Sequence, residues 1–263
     1  MMKTPQKMED LRKTPHWSFS ALNCYLQCPM KYYLRYEVNA PAEHTGSCIP
    51  FGKAFHSALT ARAIHGRNFR LSEAREAFAE HFRLESKAVP ELRYKAGETF
   101  DSCIAKGFDM LQVALDCWQD DFVVKGAAVP FTATIPGVSK PLIGEYDLVV
   151  TDGGSDAVVD WKTASSKWAS TRADLDLQAT AYTYAYNQQS GENPVFRFDV
   201  YTKAKTPTLT SHYTMRTAED WEKFEFIAAQ VDRCVEQKCF YPNISCMNCT
   251  ECPYQKQCMK EAR

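Results

Sequence analysis

Through the first half of the chain apolar residues recur at helical spacing; near residue 122 they give way to short β-branched runs separated by Gly, Pro and Asp. Residues 1–16, with Pro5, Pro15 and mixed charge, show little periodicity and predict a loose tail. The stretch "WSFSALNCYLQCPMKYYLRYE" spaces Phe19, Leu22 and Leu26, then Tyr33 and Tyr36, for a helix that Ser18 can cap and Pro29 kinks or restarts just after Cys28. After a loop over 40–50, "FGKAFHSALTARAIHG" resumes a helix that Gly66 can end, and further helices are expected at about 71–88 and 96–121. Residues 122–135, 140–151 and 156–161 predict a three-stranded meander. A helix over 172–190, strands over 195–203 and 208–215, and a last helix over about 217–236 complete the pattern.

The order is helices, then β-β-β-α-β-β, then a helix, which predicts an α/β core with an N-terminal helical elaboration. Composition allows it: 263 residues, 45% hydrophobic and 13% aromatic, can bury one large core or two small ones. The reading favours a single domain over 17–263, with a helical part (17–121), an α/β core (122–236) and a Cys-rich tail (237–263). A net charge of −1 gives no global basic field, so any nucleic-acid contact must come from local charge clusters. There is no run of about 18 apolar residues and the N-terminus is polar, which predicts a cytoplasmic protein with no membrane partner.

Eleven cysteines in a reducing compartment are poor candidates for disulfides. Scattered ones, Cys103 and Cys117 in a helical pattern, read as core residues. Clustered ones, as in "CMNCTECPYQKQC" (Cys246 to Cys258), read as metal or cluster ligands. Four thiolates hold zinc or an iron–sulfur cluster equally well, and spacing alone does not separate the two.

The chemistry concentrates in "GEYDLVVTDGGSDAVVDWKTAS". Residues two apart on a strand share a face, so Asp160 and Lys162 point one way and Trp161 the other. If the hairpin pairs, Asp147 lies beside Asp160. Two adjacent carboxylates repel unless a cation sits between them, and oxygen ligands of this kind suit Mg²⁺ or Mn²⁺. Lys162 beside that cation can orient a water or stabilise charge on a phosphorane-like transition state. Upstream, His56 shares a helix face with Gly52 and can reach the same cation. Downstream, Gln178 and Tyr182 share a helix face, suited to holding a substrate backbone or the lysine.

In order and spacing, His56, Gly144-x-x-Asp147, Asp160-x-Lys162-Thr163 and Gln178-x-x-x-Tyr182 resemble the RecB-like branch of the PD-(D/E)xK nucleases. "SFSALNCYLQCPMKYYLRY" looks like that branch's N-terminal signature, and Cys249-x2-Cys252-x5-Cys258 has its C-terminal spacing. The similarity is to the AddB-type nuclease domain and the small CRISPR-associated exonucleases, or a phage-borne relative of them. It implies a restriction-endonuclease-like fold, a mixed central sheet flanked by helices. It also implies Mg²⁺ or Mn²⁺ held by His56, Asp147, Asp160 and the main-chain carbonyl of Trp161, with Lys162 catalytic and Gln178 and Tyr182 positioning substrate. Finally it implies a 4Fe–4S cluster on Cys28, Cys249, Cys252 and Cys258, with zinc as the alternative. Cys24 and Cys246 stay outside that set.

A nuclease also needs a backbone track. "KYYLRY" supplies Lys31, Tyr32 and Arg35, cations interleaved with aromatics, and "YTKAKT" supplies Lys203 and Lys205; a tyrosine packing face and solvated loop lysines are the competing readings. The expected function is therefore a metal-dependent DNA exonuclease, acting on single strands or ends by metal-activated water. The competing function is a catalytically weak DNA-binding or assembly module on the same fold, partnering recombination, replication or CRISPR adaptation proteins, with oligomerisation open.

Overall fold

The computed structural model of the protein describes residues 7–118 and 121–261. Residues 1–6 of the predicted tail, 119–120 of the predicted 96–121 helix, and 262–263 lie outside the described residues. The chain divides into two compact units. One is drawn from the N-terminal residues to His44, Pro130–Gly144 and the chain from Thr217 onward; the other comprises Thr45–Val129 and Glu145–Arg216.

In chain order the main elements are α1 (Met8–Leu11), β1 (Trp17–Ser18), α2 (Phe19–Gln27), α3 (Pro29–Tyr32), β2 (Thr45–Gly46), α4 (Cys48–His65), α5 (Leu71–Lys87), β3 (Leu92–Arg93), α6 (Phe100–Asp116), β4 (Val123–Ala133), β5 (Leu142–Asp152), β6 (Ser155–Ala164), α7 (Arg172–Leu175), α8 (Leu177–Ser190), β7 (Val195–Thr202), β8 (Leu209–Thr214), α9 (Ala218–Glu236), α10 (Cys246–Cys249) and α11 (Gln255–Glu261). The expected order of helices, meander, helix, strand pair and helix is present, and the sheet is mixed.

In the second unit β5 and β6 run antiparallel, β6 and β7 parallel, and β7 and β8 antiparallel. Helices α4, α5 and α6 cover one face. Ala74, Phe78 and Phe82 recur every fourth residue along α5, so one stripe buries against Phe51, Phe55, Met110 and Leu111, and the sheet contributes Leu148, Val150, Val159, Trp161 and Tyr201 to the same core. The other face takes α8, whose Ala179, Ala181 and Ala185 are fully buried and let the helix approach closely, and whose Tyr182 ring meets Phe196 edge-on at 6.2 Å. The predicted 172–190 helix is broken at Asp176, which takes an extended backbone and caps α8 by accepting the Gln178 N–H at 2.9 Å. The 96–121 helix is shorter than predicted, beginning after Thr99, whose side chain caps it, and ending at Asp116. Cys103 is buried as expected, whereas Cys117, just past the end of α6, is exposed; the core reading fails because the helix stops one residue earlier.

In the first unit β1 pairs in parallel with the start of β5, Trp17 opposite Leu142. The buried Asp232 of α9 accepts the Trp17 indole N–H at 2.7 Å and the Ser139 backbone N–H at 2.9 Å, tying three separate segments together. Ser18 caps α2 as predicted, and Pro29 opens α3 where the missing N–H does no harm. Gly144 is required by a close approach: a Cβ there would overlap the buried Phe131 ring.

Candidate active site and thiol cavity

The strand register pairs Leu148 with Val159, so Asp147 and Asp160 are the next residues along on β5 and β6. Alternation then does what the sequence implied. Trp161 is 1% exposed in the core beneath α4 and α6, while Asp160 and Lys162 turn toward α8. Helix α4 crosses β6 at Gly52, where a Cβ would stand 3.8 Å from the Thr163 hydroxyl, and one turn later it presents His56.

Around these strands the side chains form one connected network. His56 Nδ1 lies 3.3 Å from Asp147 Oδ1, and the Trp161 backbone N–H donates to Asp147 Oδ2 at 2.8 Å. The Gln178 amide donates to Asp160 Oδ1 at 2.6 Å and accepts from Lys162 Nζ at 2.7 Å. Lys162 Nζ also stands 2.7 Å from Asp160 Oδ2, close enough for an ion pair, yet that buried oxygen lacks a hydrogen bond of acceptable direction. Tyr182, one turn after Gln178, hydrogen-bonds to it and packs edge-on against Tyr146 at 5.9 Å. Thus His56, Asp147, Trp161, Asp160, Lys162, Gln178 and Tyr182 come together.

The two carboxyls are driven apart electrostatically. Burial pushes Asp160 up to about 6; Lys162 opposes the shift and the Asp147 charge adds to it. Asp147 is held below the ordinary range, because the His56 imidazole and the Trp161 N–H outweigh its burial. Burial alone would depress His56, but Asp147 and Asp160 together hold its imidazole above its usual value. Among the described residues no three His, Cys, Asp or Glu side chains stand close enough to hold a metal ion unaided. Here each carboxylate is engaged by a cationic or amide partner. The buried Asp160 Oδ2, met only by the Lys162 ammonium and beside a second carboxylate and an imidazole, nevertheless fits the needs of a hard divalent cation.

Two positioning residues escaped the sequence reading. Asp176 sets where α8 begins and hence where Gln178 points. Arg216 is buried and donates to Thr180 Oγ1 (2.8 Å), Ala173 O (2.9 Å) and Asp176 O (3.1 Å), clamping the α7–α8 corner. The "DLDLQ" pattern could have shown the first, since Asp before an apolar-periodic run is a cap signal; nothing local could have shown the second.

The predicted DNA contacts fare unevenly. Tyr32 is corrected: it is 4% exposed, stacked on Trp17 at 5.4 Å, and donates to Glu37, so no ring face is offered to a base. Lys203 is half-buried with its ammonium 3.8 Å above the Phe51 ring, and burial depresses its pKa. Arg35 and Lys205 are exposed and Lys31 is half-exposed.

In the first unit Cys28, Cys249, Cys252 and Cys258 all line one cavity of about 180 Å³. The tail reaches it because Asn243 and Asn248 both donate to the Gln27 carbonyl, at 2.8 and 3.0 Å, and the Glu43 N–H donates to Pro253 O at 2.8 Å. The Cys28 thiol accepts the Asn243 backbone N–H at 3.4 Å, the kind of bond that supports a ligating sulfur. Burial pushes the Cys258 thiol up, and Cys28, Cys252 and Cys249 add to the effect. Cys24 is buried and Cys246 exposed, and neither lines the cavity.

Residues 16–259 match the PD-(D/E)XK nuclease superfamily. The chain belongs to that superfamily. Its fold, a mixed sheet flanked by helices, is the restriction-endonuclease-like one, and the protein is a metal-dependent nuclease of a class that typically uses Mg²⁺ or Mn²⁺. Among solved structures, a candidate exonuclease from Eubacterium rectale is similar at a TM-score of 0.63 and 14% identity, over 98% of this chain and 93% of that one. A second, SSO0001, aligns at a TM-score of 0.38 and 12% identity, over 88% of this chain and 93% of that one. No curated protein matches the chain. Among the described residues no helix is long and apolar enough to cross a membrane.

Proposed function

We propose that this PD-(D/E)XK protein is a Mg²⁺- or Mn²⁺-dependent deoxyribonuclease, an exonuclease acting on single-stranded DNA or DNA ends. One observation carries the reading: Asp147 and Asp160 stand side by side with His56 and Lys162, and the buried Asp160 Oδ2 is met only by the Lys162 ammonium, 2.7 Å away. A pure scaffold has no need of two adjacent, mutually repelling carboxylates, whereas a cation-binding site does. His56, Asp147, Asp160 and the Trp161 carbonyl would hold the ion. When bound, the ion supplies an acidified water and charge neutralisation at the phosphodiester.

The chain's own residues do the rest. Gln178 holds the Lys162 ammonium in place, leaving it poised to orient the attacking water or to stabilise charge building on the phosphoryl oxygens. Tyr182 fixes Gln178 in turn, and His56 with the Trp161 N–H keeps Asp147 oriented and ionised. Lys31, Arg35 and Lys205 remain candidates for the DNA backbone track.

For the thiol cavity we favour a 4Fe–4S cluster on Cys28, Cys249, Cys252 and Cys258, joining segments more than 200 residues apart in sequence.

The test is hydrolysis of end-labelled single- and double-stranded DNA with Mg²⁺ or Mn²⁺, comparing wild type with Asp160→Ala and Lys162→Ala. Ion-dependent shortening from an end by wild type alone supports the proposal; equal persistence of DNA with all three proteins overturns it. Iron, acid-labile sulfide and visible absorbance in anaerobically purified protein support the cluster, and stoichiometric zinc without iron removes it.

A further inference from the structure

Between Lys162 at the end of β6 and Gln178 at the start of α8, the chain carries a stacked ring and cation that the network around Asp160 does not use. Trp168, partly buried, packs on Phe198 at 5.1 Å and on His212 at 6.0 Å. Phe198 stands opposite Asp160 in the register of β6 and β7, and the Lys162 ammonium lies 5.7 Å from the centre of the same ring. Trp168 and Lys162 therefore lie on one sheet face, against one side chain. Over the Trp168 ring sits the Arg172 guanidinium, 3.9 Å from its centre.

Arg172 is exposed, and so is Lys167. Among the described residues neither makes a hydrogen bond or an ion pair through its side chain. The acids that follow in sequence have other partners: Asp174 accepts the Thr214 hydroxyl at 2.8 Å, and Asp176 the Gln178 N–H at 2.9 Å. The turn that carries Arg172 is itself held, because Arg216 donates to the Ala173 and Asp176 carbonyls at 2.9 and 3.1 Å.

Exposed cations alone would be an ordinary solvated surface. Arg172 differs in being seated on a ring beside the acidic network. A guanidinium lying on an indole keeps its planar fork of N–H donors free at the edge, and stacking has already restricted the side chain before any ligand arrives. The complement of such a fork is the oxygen pair of a phosphodiester, taken in bidentate fashion. Because the cation covers that face of the indole, the ring supports the cation rather than a base.

Resting on the nuclease reading above, we propose that Arg172, seated on Trp168, grips a non-scissile phosphate of the substrate strand, with Lys167 adding to the local positive field. Arg172 is thus a positioning residue: it sets the path of the strand past Lys162 and takes no part in bond cleavage.

The test is anisotropy of fluorescein-labelled oligothymidylate and oligoadenylate, each of about twenty nucleotides, with the full chain across a salt series. EDTA is present throughout, so strand binding is read without cleavage. Wild type should bind both strands with an affinity that falls as salt rises. Arg172→Ala should weaken both complexes alike, about fivefold or more, because a phosphate contact carries no sequence information. It should also shrink the salt slope by about 0.7, the share of one phosphate on a single strand. Arg172→Lys should restore the slope but only part of the affinity, since a point charge replaces the fork. Trp168→Leu keeps both cations and removes their platform, so it should weaken binding with the slope nearly unchanged. Lys223→Ala, which removes a lysine of α9 paired with Glu219, should alter neither. The proposal is overturned if Arg172→Ala binds like wild type, if its loss leaves the salt slope untouched, or if folded wild type binds neither strand. DNA hydrolysis by wild type in Mg²⁺ alongside any of these results would remove the clamp and leave the nuclease reading standing. Arg172-dependent binding without hydrolysis would do the reverse.

Discussion

The polar network of the second unit, proposed above as catalytic, and the thiol cavity of the first are prepared in opposite ways. Around Asp160 the polar side chains are already bonded to one another, so the protein itself fixes their geometry and leaves one buried carboxylate oxygen met only by the Lys162 ammonium. Around Cys28 the thiols surround an apolar hollow, and what fixes their positions is hydrogen bonding to backbone carbonyls outside the hollow: the asparagine side chains gripping Gln27 O and the Glu43 N–H on Pro253 O. A site for chemistry gains from preorganised dipoles, because nothing need reorganise at the transition state. A site for a cluster needs only thiols brought to one place, since the cluster then organises them.

That contrast has a sharp consequence for Asp160 and Lys162. Removing either should lower DNA hydrolysis by about a thousandfold or more, the scale of losing a preorganised charge. Folding, read as the thermal midpoint, should respond far less than activity for Asp160, because Asp160→Ala relieves the repulsion with Asp147 even as it strands the Gln178 amide and the Lys162 ammonium. A midpoint that collapses with activity would mean the network serves stability, and the contrast would be lost. The cavity should behave the other way round. If the proposed cluster occupies it and links the Cys28 and Cys249–Cys258 segments, Cys252→Ser should remove its iron, with a stability loss on the order of 3 kcal/mol. Metal analysis and urea unfolding of the same preparation read both.

The acidic pair, its lysine and the cysteine spacing could be read from the sequence because each is local or follows a strand period: Asp160 and Lys162 fall on one face by alternation alone. Gly144 belonged to a recognisable pattern, but its reason, the Phe131 ring lying against it, is a tertiary contact no spacing reveals. Arg216 was invisible for the same reason, since its partners at Ala173, Asp176 and Thr180 lie far back along the chain. Tyr32 misled because an aromatic among cations has the same sequence signature whether it faces a base or packs in the core, as Tyr32 does on Trp17.

Each unit also holds a carboxylate engaged by several hydrogen-bond donors, and these calibrate Asp160. Asp232 accepts from Trp17 and from both the N–H and hydroxyl of Ser139 while 3% exposed. Asp232→Ala strands those donors and should cost about 2–3 kcal/mol in urea unfolding. Gly144→Ala should cost about 1–2 kcal/mol through the displaced Phe131 ring, an overpacking penalty that Phe131→Leu in the same chain should partly relieve.

The smallest effect belongs to Asp156, and its sign is the informative part. The Lys125 ammonium at 2.6 Å, the Tyr186 hydroxyl at 2.6 Å and the Thr151 hydroxyl at 2.9 Å hold its carboxyl below the ordinary range. A depressed folded pKa means the contribution is present above the unfolded value and disappears as pH falls through the folded one. With Lys125 nearly half exposed, solvent screening limits it to about 0.5–1 kcal/mol. Asp156→Asn should therefore lower stability near neutrality and match wild type once the pH drops below the carboxylate range. Asp160→Asn should show no such loss on approach to neutrality, because its carboxyl is raised by burial rather than lowered by partners. If both variants lost stability alike as pH rose, Asp160 would be an ordinary anchor like Asp156, and its buried oxygen would no longer point to a cation.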